Sequence, residues 1–368
     1  MIRCRSWNAF LAPRRRRAVR GRSWLGRLAP LALPAVWGAV AVTWRLTCPL
    51  AQQDGLATRI ATSVVFFTVG TGLVWGIRRG PARELKQVKA IAHATQQVLL
   101  RPLPPCLDGL SIAASQLSSA RGAAVGGDLY EAVITPYGVR VVIGDVRGHG
   151  LSALGVVAAV LGSFREAAHD EPELGGVLRR LDRALARHLR ERARDEHPVS
   201  GGRDPNSPSA EEFVTVLLLE ICQAGDVLAL NCGHPWPYRL GTRAERLAAG
   251  DPLPPLGTFP LPDDLPEHRC TRLLPGEALF LHTDGAEDAR DAAGRFFRLE
   301  EVLAETALGA PTAPAAVIDR VHSALLRHTG GRLADDVALL VLRNDRPRAA
   351  PQSAEPGPCR TRPAPFSR

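Results

Sequence analysis

The chain has 368 residues, 45% hydrophobic and 23% charged, which suits a folded protein with a sizeable core and excludes wholesale disorder or a fibrous class. Its net charge of +9 is unevenly placed: residues 1–27 carry nine arginines and no acid, whereas residues 105–343 hold 24 bases against 33 acids. The large folded part is therefore acidic, and a nucleic-acid-binding surface, which needs clustered cations there, is disfavoured.

In chain order, the basic N-terminal stretch (1–27) leads into two apolar runs. Residues 60–77 are an uncharged run of 18, enough for roughly 27 Å of helix, about a bilayer core. Residues 28–44 are shorter, carry Pro30 and Pro34, and taken alone resemble a signal-peptide core. No small-residue cleavage site follows, a second apolar run does, and Trp37, Trp44 and Trp75 suit membrane interfaces. The expectation is a two-helix transmembrane hairpin within residues 28–80, in contact with lipid. Arg14 to Arg17 before it and Arg78, Arg79, Arg83, Lys86 and Lys89 after it place both termini, and the domain that follows, in the cytoplasm. The competing reading is a hairpin buried in a protein core, which the flanking arginine clusters argue against.

Residues 81–104 are predicted as a linker. Its helix, 81–101, opens with Pro81 and places Leu85, Val88, Ala92, Thr95 and Leu99 in a loose heptad, either a homodimerising connector or a plain spacer. From 105 to 343 the pattern turns to short β-rich runs, at 110–115, 129–135, 138–144, 213–221, 226–231, 236–240, 278–283 and 337–342, bounded by Gly, Pro and Asp. Helical periodicity interrupts them at 152–168, 174–194, about 298–307 and 313–328. Paired strands, then helices, then strands again indicate an α+β sandwich rather than a doubly wound sheet. The arginine-rich helix is expected to present a solvated face. Residues 344–368, rich in Pro, Arg and Ala, are expected to be a disordered tail. Seven dispersed cysteines without a C-x-x-C pair read as reduced structural thiols, not a disulfide scaffold or a thiolate zinc site.

The informative feature is where the aspartates fall. Asp128 follows Gly126-Gly127 just before a strand, Asp145 closes the run Val141-Val142-Ile143-Gly144, and Asp284 ends another apolar strand before Gly285. Asp335 and Asp336 precede the last strand. Singly, each reads as a turn. Together, carboxylates at strand ends beside glycines build a cluster of hard oxygen ligands that needs cations to stay ionised, with Mg²⁺ or Mn²⁺ the natural choice.

The segments GGDLYE (126–131), GDVRGHG (144–150), FVTVLLLEI (213–221), NCGHPWPY (231–238), LLPGEALFLHTDGAEDAR (273–290) and ADDVALLVLR (334–343) share an order and spacing. In these the sequence resembles the metal-dependent protein phosphatase (PPM) family, in its bacterial stage II sporulation protein E branch, over about residues 100–343. The resemblance implies an αββα sandwich of two antiparallel sheets with two Mn²⁺ or Mg²⁺ ions at one edge. Carried over residue by residue, Asp145 bridges the two metals and the Val146 carbonyl ligates one. Asp284 and Asp335 hold the other, Asp128 acts directly or through water, and Asp336 sits behind them. Asp128, Asp145, Asp284 and Asp335 are then the catalytic set, since the cations activate water and clamp the phosphoryl oxygens for in-line displacement.

The chain departs from the family where Arg147 replaces a common Ser, Glu287-Asp288 replace Thr-Glu, and Ala338 replaces Thr. The leaving-group acid of type 2C relatives has no counterpart at Arg147, and that role is not transferred to His149. Arg147 is a candidate contact for substrate phosphate, and His234 a structural hydrogen-bonding residue. The implied function is a membrane-anchored protein serine/threonine phosphatase acting on a phosphorylated anti-sigma-factor antagonist. The alternative is a catalytically inactive partner-binding module of the same fold, against which the intact acidic set weighs. A polymerase- or nuclease-like two-metal enzyme is disfavoured by the acidic domain.

Overall fold

Strands β3 (Asp128–Thr135), β4 (Gly138–Val146), β5 (Val214–Ile221) and β6 (Asp226–Cys232) are apolar at most positions, and β4 and β5 are buried almost throughout, the pattern of strands covered on both faces. The computed structural model describes residues 99–117, 126–148, 150–196, 212–248, 250–265, 267–308 and 313–347, with 43, 47, 60, 64, 65 and 67–72 upstream. The chain divides into two compact units, residues 1–87 and 88–368.

In the second unit, β3, β4, β5, β6 and β9 (His268–Arg272) form an antiparallel five-stranded sheet in that order. A six-stranded antiparallel sheet runs β1 (Cys106–Leu107), β2 (Leu110–Leu117), β11 (Val337–Asn344), β10 (Ala278–His282), β7 (Tyr238–Leu240) and β8 (Ala244–Arg246). Alternation along each strand divides its side chains between two cores. On β4, Val139, Val141 and Ile143 meet Leu340 and Leu342 of β11 in the core between the sheets. Val142 and Val146 instead face the helices α1 (Leu151–Asp170) and α2 (Leu174–Glu196). Val337, Leu339 and Val341 likewise face α3 (Leu299–Ala307) and α4 (Pro314–Thr329). The result is the expected four-layer αββα sandwich of two antiparallel sheets.

Helix α2 buries Leu174, Val177, Leu178, Leu181 and Leu185, an i, i+3, i+4 stripe, and turns Arg183, Arg187 and Arg190 to solvent. The arginine-rich face is thus solvated, as its pattern predicted. One arginine is not: Arg140 is fully buried on β4. Its Nε and Nη2 donate to Glu220 Oε2 at 2.8 and 2.6 Å, and its Nη1 to the Ala168 carbonyl at 2.9 Å. Nη2 also reaches the Pro172 carbonyl at 2.8 Å, so one guanidinium ties the end of α1 to the sheet.

Every strand and helix predicted between residues 105 and 343 is present within a few residues. The short strands β1, β8 and β9 were not predicted, being too short or too polar for an apolar run to mark them. Ordered structure also passes the expected tail boundary. Asn344 closes β11, and Arg346 bonds Asp108 through Nη2 at 2.8 Å and the Asp108 carbonyl through Nε at 2.8 Å. Cys106, Cys232 and Cys270 are free thiols, but Cys222, in the turn after β5, is disulfide-bonded, which corrects the expectation of reduced thiols throughout.

Among the described residues no helix is long and apolar enough to cross a membrane. Of the expected spans, Thr43, Ile60, Val64, Val65 and residues 67–72 are helical, and the remainder lies outside the described residues. The basic stretch 1–27, the linker helix before Leu99 and the tail beyond 347 also lie outside them.

Candidate metal-dependent active site

Pairing of β3 with β4 sets Asp128 directly opposite Asp145, and pairing of β4 with β5 sets Asp145 opposite Thr215. The chain then leaves β4 held by Val146 N to the Gly127 carbonyl (3.1 Å) and Arg147 N to the Phe213 carbonyl (2.9 Å). On the other sheet, Asp284 opens a 3-10 turn just after β10, and Asp335 and Asp336 precede β11. The β10–β11 ladder is continued by Thr283 N to the Ala338 carbonyl at 3.1 Å, which brings Asp284 beside the Asp335–Asp336 pair.

The two sheet ends meet closely because glycine lines the seam. A Cβ on Gly126 would lie 2.3 Å from Asp336 Oδ2, and one on Gly127 would lie 2.3 Å from the Val146 carbonyl oxygen and 2.9 Å from Asp145 Oδ1. Neither position has room for a side chain. All six residues expected at the site, Asp128, Asp145, Val146, Asp284, Asp335 and Asp336, are therefore brought to one edge of the sandwich. Asp128 and Asp336 are buried, Asp145 is half-buried, and Asp284 and Asp335 stand at the exposed rim.

Their electrostatics show the cost of this gathering. Burial, then the charges of Asp145 and Asp336, raise the Asp128 carboxyl well above the usual carboxylate range. Burial, then Asp284, Asp335 and Asp336, push Asp145 up to about 7. Asp284 is raised by burial and by Asp335 and Asp288. Asp128 Oδ2 is buried with no hydrogen-bond partner. Among the described residues no three carboxylate, imidazole or thiolate groups already close on one point as a formed cation cage. Mutually repelling carboxylates, an orphaned buried oxygen and an oxygen-only donor set nonetheless fit hard divalent cations, which would supply the missing positive charge.

Two threonines that the sequence reading passed over support the carboxylates. Thr283, fully buried, accepts from Ala338 N at 2.9 Å and hydrogen-bonds the Asp128 side chain across the sheets. Thr215 Oγ1 lies 3.3 Å from Asp145 N. Only their place one residue from Asp284 and one strand from Asp145 could have marked them. Arg147 is exposed, its guanidinium over the Phe213 ring at 5.2 Å. Glu287, in a departing position, accepts from Tyr238 Oη at 3.2 Å and lies 3.5 Å from Arg246. His149 lies outside the described residues.

Residues 135–345 match the sequence profile of the family described as stage II sporulation protein E (SpoIIE), more than half of the chain. The chain belongs to the SpoIIE family. Members of that family are protein serine/threonine phosphatases. Among solved structures, the SiaA-PP2C domain of Pseudomonas aeruginosa shares the fold: 16% identity, 73% of this chain and 98% of that one covered, TM-score 0.53. The RsbU and RsbW domains of a Mycobacterium tuberculosis protein match at 25% identity over 65% of this chain, TM-score 0.45, and the chain spans 61% of that structure's length. The phosphatase domain of SpoIIE from Bacillus subtilis, with a fragment of its regulatory domain, matches at 15% identity over 64% and 63%, TM-score 0.47.

Proposed function

We propose that this chain is a membrane-anchored, metal-dependent phosphatase that removes phosphate from serine or threonine of a regulatory protein of the anti-sigma-factor antagonist type. The carboxylate cluster at the meeting edge of the two sheets carries the reading. Asp145, Asp128, Asp284, Asp335 and the Val146 carbonyl would hold two Mn²⁺ or Mg²⁺ ions, with Asp336 behind them. Bound there, the ions would supply the positive charge that activates water and neutralises the phosphoryl oxygens.

The protein's own part is placement. The Asp128–Asp145 pairing and the glycine seam hold acceptors from both sheets within reach of one another, and Thr283 fixes the Asp128 carboxylate. The rim residues Asp284 and Asp335 are open to an incoming phosphoryl group, which the uncompensated cluster would repel. Arg147, exposed one residue beyond Val146, offers a guanidinium to the substrate phosphate. A module that only bound a partner would have no use for an orphaned Asp128 oxygen.

Anchoring is supported by the uncharged run 60–77, its arginine flanks, and exposed apolar side chains on its helical residues, Phe67 among them at 76% exposure. The test is the full chain in detergent against two phosphoproteins. A serine-phosphorylated anti-sigma-factor antagonist should lose phosphate in the presence of Mn²⁺, faster than an unrelated phosphoserine protein. Equal rates on both would refute the substrate class, and no release from either would refute the activity.

A further inference from the structure

His234 is 4% exposed and lies between the strand ends that carry Asp145 and Asp284. The Asn231 side chain brackets its backbone: Nδ2 donates to the His234 carbonyl at 2.8 Å, and Oδ1 accepts from His234 N at 2.8 Å. This holds the loop after β6 and gives the ring one setting. On one side, Nδ1 lies 3.1 Å from Thr215 Oγ1. That hydroxyl in turn lies 3.3 Å from Asp145 N and 3.4 Å from the Asp145 carbonyl. On the other side, Nε2 is buried with no hydrogen-bond partner.

We propose that His234 is a positioning residue at the metal centre, holding the end of the Asp145-bearing strand through Thr215. The inference rests on reading this edge as a two-cation phosphatase site, and adds a residue that touches neither cation nor substrate. The donor arithmetic supports it. Thr215 Oγ1 accepts from Asp145 N–H, lies within reach of the Asp145 carbonyl, and shares one hydrogen bond with Nδ1, so the ring and both backbone groups of Asp145 meet at one hydroxyl. A phenyl ring of similar size offers that hydroxyl no partner. Outer partners of metal-binding residues commonly matter by about 10–100-fold in affinity.

The experiment is Mn²⁺ titration by calorimetry on the full chain in detergent, with kcat and KM measured on a phosphoserine peptide. His234→Phe should weaken Mn²⁺ binding about tenfold or more and lower kcat, with KM for the peptide little changed. His234→Asn, whose amide replaces Nδ1, should restore most of the affinity. Thr215→Val should match His234→Phe, and the double variant should be no worse than either, because the two act through one chain. Wild-type Mn²⁺ affinity in folded His234→Phe, or fully additive losses in the double variant, would overturn the inference. If His234→Phe does not fold, wild-type affinity in Thr215→Val overturns it equally. A wild-type protein that binds Mn²⁺ without hydrolysing peptide refutes the phosphatase reading and leaves the coupling to be judged by calorimetry. One that binds no Mn²⁺ overturns both.

Discussion

Replacing Asp145 with Asn should make the chelated protein more stable, although it should destroy the enzyme. Burial and the neighbouring aspartates raise the Asp145 carboxyl from 3.8 to about 7. A group raised in the folded state contributes its full stability below its unfolded value and loses it as pH climbs through the folded one. Above neutrality the charged carboxylate therefore opposes folding, by about 3 pH units at about 1.4 kcal/mol each, or about 4 kcal/mol. Asparagine keeps the shape but cannot ionise, and it still buries a polar amide, so the net gain should be about 2–4 kcal/mol. For a domain of this size that is roughly 5–15 °C in Tm. The assay is thermal unfolding of both proteins in EDTA at about pH 3, 5 and 8, a range that spans the two pKa values. The gap should be small at the acid end and widest at the alkaline end, and saturating Mn²⁺ should reverse the ranking. A variant no more stable than wild type at the alkaline end, or a gap that ignores pH, would refute the reasoning.

Gly127→Ala should cost about 1–3 kcal/mol and weaken Mn²⁺ binding, because the new methyl collides with the Val146 carbonyl; calorimetry and unfolding curves check both. Arg140→Met should cost about 3–5 kcal/mol by taking the guanidinium away from buried Glu220, and Arg140→Met with Glu220→Leu should recover most of it in denaturant titrations. Burial holds His234 down at about 3, so the unfolded chain takes up a proton below about 6.5 that the folded chain refuses. The stability advantage of wild type over His234→Asn should therefore shrink by about 1.4 kcal/mol per pH unit from 6.5 towards 3, and a constant difference would contradict a buried neutral ring. Removing residues 1–80 leaves a chain of net charge −3, which should stay in the supernatant after ultracentrifugation and keep Mn²⁺-dependent activity; pelleting with membranes would contradict the proposed anchor.

The sandwich was legible because strands covered on both faces must be apolar at nearly every position, and β4, β5 and β11 are. The five aspartates were legible for a different reason: each alone suits a turn, but their recurrence at the ends of apolar strands has no ordinary structural use. The supporting contacts were not. Thr215 and Thr283 matter through partners distant in sequence, Asp145 and Asp128, and a threonine in a strand is otherwise unremarked. Nothing in the sequence marks Arg140 for the setting the fold gives it, with Glu220 and three carbonyls around its guanidinium. β8 and β9 are polar edge strands, and pairing rather than pattern defines them.

The most direct measurement is phosphate release from a phosphoserine peptide by the full chain, with Mn²⁺ and with EDTA, for wild type and Asp145→Asn side by side. A two-cation phosphatase should turn over only as wild type with Mn²⁺, and should lose turnover in EDTA and in the variant, whose fold persists. Mn²⁺-dependent release by folded Asp145→Asn, or release by wild type that EDTA leaves untouched, would contradict the assignment of this carboxylate edge as the catalytic centre.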